Sequence, residues 1–593
     1  MGANSDRLLF PRPRRYRAVL WAAALALWPG LLLAGGAEEP PVRFDDASSL
    51  VNFERVSLPR DGDGLGGAAW LDYDADGFLD LFLTNGKMRP NGLFRNDGHG
   101  GFVDVSASAG IQNGRGNSGV VAADFDNDGF TDLFVTGDGG TIGLASSPVM
   151  LYHNNRDGTF TDITSASGIV SPPSGISSAV ADVDNDGFLD LFIAAPGSLS
   201  LQVQHANHLF RNNGDLTFTD ISAAAGVNTA VGAFAALFTD YNRDGFVDLV
   251  VGNGNDIRLA PTPIELFRNN GDLTFTDVAT TAGLAGGGLW MGFGPADYDN
   301  DGDVDLFVTN FGGNVFPHAL YRNNGDGTYT SVGTTAGVAP FPFAWGCAFK
   351  DFDNDGNADL YFAGALPVID TNPGVLLFNN GDGTFANLTA SSPVDLRGMF
   401  PSGVASGDYD RNGFEDIVIV REPYGVDQSG RPVLLRNRGN ANHWVTIRLI
   451  GTVSNRDAIG AQVWITAGGR TQFKEVYAGS SFASTDSPWL TFGLGATASI
   501  DRVRVRWPLG TEEEFRNIPA ERVAMLVEGT SGDVSVGDCD GDGAVTVADL
   551  VQGVAIALGN AALDSCPIFD ADGNGSVDVS DIVQAVLMAL TED

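Results

Sequence analysis

Nine residues, Asp72-Tyr73-Asp74-Ala75-Asp76-Gly77-Phe78-Leu79-Asp80, place carboxylates at positions 1, 3, 5 and 9 of a short loop, with glycine at position 6. Alternate side chains of a chain coiled around a point can all face that point. A hard divalent cation takes several oxygens at about 2.3–2.6 Å, so the chemistry this spacing suits is calcium coordination. Gly77 permits a turn that a residue with a Cβ resists. The pattern recurs at Asp124, Asp126, Asp128 and Asp132, at Asp182, Asp184, Asp186 and Asp190, and at Asp240, Asn242, Asp244 and Asp248. It continues at Asp297, Asp299, Asp301 and Asp305, at Asp351, Asp353, Asp355 and Asp359, and at Asp408, Asp410, Asn412 and Asp416. Asn242 and Asn412 keep an oxygen but lose charge, and Asp303 adds an acid at position 7 of the fifth loop. Successive loops start 52, 58, 58, 57, 54 and 57 residues apart, the period of a modular array.

Apolar runs flank each loop, as Ala68-Ala69-Trp70-Leu71 and Leu81-Phe82-Leu83 do here, so each loop reads as the tip of a β-hairpin. A second, tighter hairpin follows in each unit, marked by Asn-Gly at Asn213-Gly214, Asn270-Gly271, Asn324-Gly325 and Asn380-Gly381. Four short strands per unit, repeated radially, predict a mainly β chain with a seven-bladed β-propeller over residues 42–437. The seventh hairpin starts at Leu434-Leu435-Arg436-Asn437 without its returning strand, while Phe44-Asp45-Asp46-Ala47-Ser48 is similar to the returning strand Phe102-Val103-Asp104-Val105-Ser106. The N-terminal strand is therefore expected to complete the last blade and remove an open edge. These repeats resemble FG-GAP/VCBS repeats, the blades of integrin-α-type propellers. That resemblance implies that the cation braces the blade hairpin and need not touch a ligand.

Short alternating strands over residues 440–530 predict a small all-β domain. Asn442-His443-Trp444, Ser454-Asn455-Arg456-Asp457-Ala458-Ile459-Gly460-Ala461, Phe492-Gly493-Leu494-Gly495 and Val505-Arg506-Trp507-Pro508 resemble the ASPIC/UnbV domain that follows FG-GAP repeats in the cartilage acidic protein-like bacterial family. Arg502, Arg504 and Arg506 alternate with Val503, Val505 and Trp507, which puts a guanidinium row on one strand face. The row is either a solvated face or a docking strip for an acidic surface.

Residues 535–593 hold two twelve-residue EF-hand-type loops, with candidate ligands Asp538, Asp540, Asp542 and Asp549 in one and Asp570, Asp572, Asn574, Asp578 and Asp581 in the other. An apolar helical pattern follows each loop. The pair resembles a type I dockerin, which implies a cohesin-like or cell-surface anchor, although Val547-Ala548 and Val579-Ser580 stand where a Ser/Thr pair is usual. Cys539 and Cys566 lie one beside each loop and are expected to form a disulfide.

Residues 1–37 read as a secretory signal, with Arg12, Arg14, Arg15 and Arg17 ahead of an apolar run and a cleavage site near residues 34–37. The expectation is a secreted or surface protein with no membrane span in the mature chain. The formal net charge of −40 argues against nucleic acid as a partner. The ligand positions carry 26 carboxylates in the seven loops and 8 in the C-terminal pair, out of 74 acidic residues, so much of that charge awaits cations.

No nucleophile–base pair, Gly-rich phosphate loop or zinc spacing stands out. The reading is a calcium-dependent, non-catalytic binding or adhesion protein for an extracellular protein or polysaccharide, with a polysaccharide hydrolase or lyase as the alternative. Recognition is expected in the longer connections, Gly137 to Pro148, Ala195 to His208, Gly252 to Glu265 and Gly364 to Gly374. Phe341, Phe343 and Trp345 are either core or a binding face. His153, His205, His208 and His318 read as surface residues of loops, and Cys347 as buried.

Overall fold

A computed structural model describes residues 42–593 except 52–64, 86–89, 112–115, 138–147, 170–174, 197–203, 255–260, 285, 311–315, 365–372, 390–395, 398, 423–429, 534–536, 538, 540–544, 561–565, 571–575 and 592–593. The signal segment and most of the long connections named above lie outside the described residues. The described chain is mainly β. Its first half and more forms seven small antiparallel sheets of one design.

In the first sheet, Ala68–Leu71 pairs with Asp80–Leu83 across the aspartate-rich loop, and Gly92–Asn96 and Phe102–Asp104 follow outward. The first two strands are buried throughout and read as continuous apolar runs, while the last strand buries only Phe102 and exposes Val103 and Asp104. That gradient is what a strand packed on both faces requires near an axis and a half-covered strand permits at the rim. The first strands of the other six sheets are Asn117–Ala123, Ser177–Ala181, Ala233–Thr239, Phe293–Ala296, Gly346–Lys350 and Phe400–Gly407. Each first strand packs beside that of the next sheet, and Phe400–Gly407 packs beside Ala68–Leu71. The strand missing from the seventh sheet is supplied by Phe44–Asp46, which pairs with Val433–Asn437 in register Phe44 to Asn437.

The domain that follows has two sheets. One contains Leu490–Gly495, His443–Ile450 and Val523–Val527. The other contains Arg470–Glu475, Gln462–Ala467, Arg502–Arg506, Glu512–Arg516 and Gly532–Asp533. Val463, Ile465, Phe492, Val503, Val505, Trp507 and Phe515 fill the space between them. Between its strands the chain sends the segment 478–487 into the middle of the seven sheets. Ala478 O accepts from Val180 N, Ser480 O from Phe293 N, Ala483 O from Val120 N and Thr485 O from Trp70 N. Ser481 Oγ accepts from Cys347 N, and Asp486 Oδ1 accepts from Ser406 N.

Phe482 is fully buried at this centre against Phe234 and Trp345, with ring centroids 6.3 and 4.7 Å away. Such entry requires small residues on the inner strands. A Cβ on Gly67 would lie 1.7 Å from Ala483 O, and one on Gly292 would lie 2.9 Å from Phe482 N. Phe343 and Trp345 are thus part of the wall around the inserted segment.

At the C-terminus, helices Val547–Ala557 and Val579–Thr591 pack on Phe569, and Cys539 and Cys566 are joined by a disulfide. Gly553 makes the packing possible, since a Cβ there would meet the Phe569 ring at 2.2 Å. Among the described residues no helix is long and apolar enough to cross a membrane.

Candidate functional site

The seven loops share one hydrogen-bond plan. The carboxylate at position 1 accepts from the glycine N–H at position 6, as in Gly77 N to Asp72, Gly129 N to Asp124, Gly187 N to Asp182 and Gly413 N to Asp408. Position 4 takes left-handed backbone, with φ from 56° to 58° at Ala75, Asn127, Asn185, Arg243, Asn300, Asn354 and Arg411. Six of the seven are Asn or Arg, and they reach onward to the next loop. Asn127 donates to Gly187 O, Asn185 to Gly245 O, Asn354 to Gly413 O and Arg411 to Gly77 O, while Asn300 donates to Asn357 Oδ1. Arg243 instead pairs with Asp303 at 2.8 Å, so the extra acid of the fifth loop ties two loops together.

Position 9 is fully enclosed. The Oδ1 atoms of Asp80, Asp132, Asp190, Asp248, Asp305, Asp359 and Asp416 accept from the main-chain N–H of Asn96, Asn154, Asn212, Asn269, Asn323, Asn379 and Asn437, at 2.6–2.9 Å. The carboxamide of each of those asparagines donates to a carbonyl at position 2 of the preceding loop. Asn154 reaches Tyr73 O, Asn212 Phe125 O, Asn269 Val183 O, Asn323 Tyr241 O, Asn379 Tyr298 O and Asn437 Phe352 O. Asn96 closes the series on Tyr409 O at 2.8 Å. Seven latches therefore join seven sheets without a gap.

Carboxylate oxygens remain over. Asp74, Asp126, Asp184, Asp299 and Asp410, all at position 3, each bury one oxygen that has no hydrogen-bond partner, as does Asp248 with Oδ2. In the first loop one oxygen each of Asp72, Asp74 and Asp80 lies within 4.8 Å of the others, and Asp182, Asp184 and Asp190 and Asp297, Asp299 and Asp305 group likewise. Burial is the first cause that drives these acids toward protonation, with neighbouring carboxylates adding to it. Asp74 and Asp240 are pushed up to about 6, Asp182 and Asp297 to about 7, and Asp248 to about 9. Converging, orphaned, buried oxygens of this kind fit a hard dication, which would satisfy the lone pairs and allow full ionisation.

The middle domain sits on this same end of the sheets. Arg470 donates to Asp355 O, Gly356 O and Asn357 Oδ1 at 2.9, 2.7 and 2.7 Å, capping the sixth loop. Arg448 approaches Asp72 at 3.3 Å, Asp457 accepts from Asp124 N, and Glu475 accepts from Thr239 Oγ1. The guanidinium row divides. Arg502 and Arg504 pair with Glu514 and Glu512 on the neighbouring strand, and only Arg506 reaches the seven-sheet body, at Asp240, 3.6 Å away.

A cavity of about 60 Å³ lies at this junction, lined among others by Lys350, Lys474, Glu415, Glu475 and Asp486. Lys350 pairs with Asp486 at 3.3 Å, and Lys474 donates to Thr491 O. At roughly 10–15 Å³ per water, the space suits a handful of waters.

One of the histidines departs from expectation. His318 is a core residue and not a surface one. Its Nδ1 accepts from Asn310 N at 2.9 Å, and burial lowers its pKa to about 4. His153 lies beside the second loop, with Nδ1 3.1 Å from Asp132 Oδ1 and 3.8 Å from Asp126 Oδ2. The signal for it was strand register, since it precedes Asn154 where Arg95, Arg211, Arg268, Arg322 and Arg436 precede their own asparagines.

In the C-terminal pair, Asp549 accepts from Cys539 N and Thr546 N, forming a helix capping box, and Asp578 accepts from Ser580 N. Asp581 accepts from Asp578 N, so these three acids also anchor the helix starts. Asp538, Asp540, Asp542, Asp572 and Asn574 lie outside the described residues, and Asp570 is half-buried.

With this geometry in view, comparison with known proteins places the repeats. Residues 72–135, 129–193, 198–251, 240–308 and 297–362 match the FG-GAP-like repeat, and residues 451–533 match the family described as ASPIC and UnbV. The chain carries FG-GAP-like repeats and an ASPIC and UnbV domain. It is similar to cartilage acidic protein 1 of Mus musculus, 26% identical over 550 residues that cover 85% of this chain and 80% of the relative. It is likewise 26% identical to cartilage acidic protein 1 of Homo sapiens over 499 residues, 78% and 71% of the two chains. A solved structure described as recognition of non-reducing terminal N-acetylglucosamine by an Agrocybe aegerita lectin aligns with 63% of this chain and 93% of its own, at 18% identity and a TM-score of 0.37.

Proposed function

We propose that the seven sheets are the blades of one closed propeller and that calcium in its loops braces a non-catalytic, extracellular protein that binds or adheres to a protein or polysaccharide. The observation that carries this reading is the uninterrupted series of asparagine latches, each seated on a position 9 aspartate beside orphaned carboxylate oxygens. Cation binding there would act on the joints between blades, not on a substrate. The ASPIC and UnbV domain serves as a built-in cover, since it fills the centre and lies over the cation loops. Second and third strands connect at the opposite end of each sheet, so recognition falls to those connections.

The cavity beside Lys350 and Lys474 has groups an acid–base enzyme uses, but Lys350 and Asp486 pair with each other and Lys474 donates to Thr491 O, so these groups are engaged within the protein, which supports a binding role. Attachment falls to the C-terminal pair. Val547, Val551, Val554 and Leu558 expose one face of the first helix, and Val579, Val583 and Leu587 expose one face of the second, a surface that suits a cohesin-like or other surface anchor. The kinship with cartilage acidic protein 1 agrees with an extracellular setting.

The test pairs binding with catalysis. Full chain is offered extracellular protein and polysaccharide preparations with calcium or with chelator, and product release is followed in parallel. Calcium-dependent retention without product is expected. Turnover of a polysaccharide overturns the non-catalytic reading, and retention that survives chelation removes calcium from the mechanism.

A further inference from the structure

The second loop has an imidazole where five of the other six have a strand arginine and the sixth has Phe378. In the third loop the strand arginine, Arg211, covers Asp184 at 2.5 Å and Asp186 at 2.6 Å, and in the seventh Arg436 covers Asp410 at 2.5 Å. At the same register the second loop has His153, whose Nδ1 faces Asp132 Oδ1 at 3.1 Å and Asp126 Oδ2 at 3.8 Å. A replacement arginine is present, but it is displaced. Arg156 holds Asp128 at 2.7 Å from a left-handed residue, φ 63°, where the other six hairpins have Gly98, Gly214, Gly271, Gly325, Gly381 and Gly439. A side chain at such a position is strained, and strain of this sort gathers at functional sites. Its effect here is to cover Asp128 while leaving Asp126 and Asp132 open toward the imidazole.

Asp126 Oδ1 is buried without a hydrogen-bond partner, and Asp132 is almost wholly enclosed. One nitrogen and two carboxylate oxygens, one from each of Asp126, Asp132 and His153, lie within 4.8 Å of one another.

We propose that Asp126, Asp132 and His153 form a zinc-class site, so that the second loop takes a first-row transition dication where its neighbours are built for calcium. Zinc bonds to imidazole nitrogen and carboxylate oxygen at about 2.0–2.2 Å, which places neighbouring ligand atoms roughly 3.0–3.5 Å apart; the imidazole already stands 3.1 Å from Asp132, and a shift of a few tenths of an ångström brings Asp126 in from 3.8 Å. Calcium prefers an all-oxygen shell at longer range, and an imidazole in that shell favours borderline metals. The Nδ1 that faces the two acids would be the ligand, with the proton on Nε2. Asp132 Oδ1 keeps its bond from Asn154 N at 2.7 Å, which orients the carboxylate.

The experiment uses the untagged full chain, saturated with calcium, titrated with zinc by calorimetry and with cobalt(II) as a spectroscopic probe. One zinc site is expected. His153→Arg restores the residue that five of the other six sheets carry, with Phe378 in the sixth, and it should weaken zinc roughly a hundredfold or more, as should His153→Gln. Cobalt should show an imidazole-dependent visible band in the wild type alone. Equal zinc affinity in wild type and His153→Arg overturns the proposal, as does a cobalt spectrum indifferent to His153. Calcium stoichiometry measured on the same proteins separates this result from the calcium reading, since either can fail without the other.

Discussion

Phe482→Ala probes the segment that joins the two main parts of the molecule. The Phe482 side chain is fully buried, with its ring centroid 4.7 Å from that of Trp345 and 6.3 Å from that of Phe234 in tilted contacts, far from its own domain's core. Removing a buried phenylalanine ring costs about 3–5 kcal/mol, from lost transfer energy plus the cavity left behind. The central position offers little collapse, because inner strands held by latches on every side cannot move in to fill the space. A loss in the upper half of that range is expected. The assay is urea unfolding of the full chain with calcium present, followed by tryptophan fluorescence, together with limited proteolysis between residues 440 and 530. The variant should unfold earlier and be cut faster within the middle domain. A loss below about 1 kcal/mol with an unchanged digest would show that the segment does not occupy the centre in solution, and the coupling of the two parts would be refuted.

Three further outcomes follow from the loops and latches. Without calcium, the raised acids, Asp182 and Asp297 at about 7 and Asp248 at about 9, favour the fold while protonated. Their contribution is fully present below the unfolded aspartate value of about 3.9 and is lost as pH rises through the folded values. Melting in chelator should therefore fall between pH 5 and 9, and calcium should abolish that fall; a flat profile in chelator contradicts the carboxylate assignment. Asn437→Ala strands the carbonyls of Phe352 and Glu415 and should cost about 1–3 kcal/mol in urea unfolding; a loss below about 0.5 kcal/mol contradicts the latch. Arg470→Ala removes three hydrogen bonds from the sixth loop and should cost about 1–2 kcal/mol, with weaker calcium retention by that loop in native mass spectrometry.

The repeat was legible because its information is local. Asp72 to Asp80 specify a loop by themselves, and seven copies at a steady period give the sheet order. The pairing of Phe44–Asp46 with Val433–Asn437 could also be read, since an apolar strand lacking a partner and a hairpin lacking a strand stood at opposite ends. The inserted segment could not, because nothing in Ser480-Ser481-Phe482-Ala483 announces a destination. Its site is made by small inner residues from several sheets hundreds of positions away. The asparagine latches were visible as letters but not as contacts, for each reaches a main-chain carbonyl in another repeat, and carbonyls leave no trace in sequence. His153 was missed because it was compared with other histidines and not with the arginines that share its register. The arginine row was open between two readings for a related reason: alternation shows which face Arg502 and Arg504 take, but not that Glu512 and Glu514 stand opposite.

The central claim is that divalent cations in the seven loops hold the joints between sheets. Native mass spectrometry of the intact chain, dialysed against calcium and then against chelator, with the melting temperature taken in both states, tests it most directly. At least seven metal equivalents, lost on chelation together with a large drop in melting temperature, are expected, since a ligand of the native state stabilises it by mass action. Fewer than four equivalents, or a melt indifferent to chelator, would contradict the account.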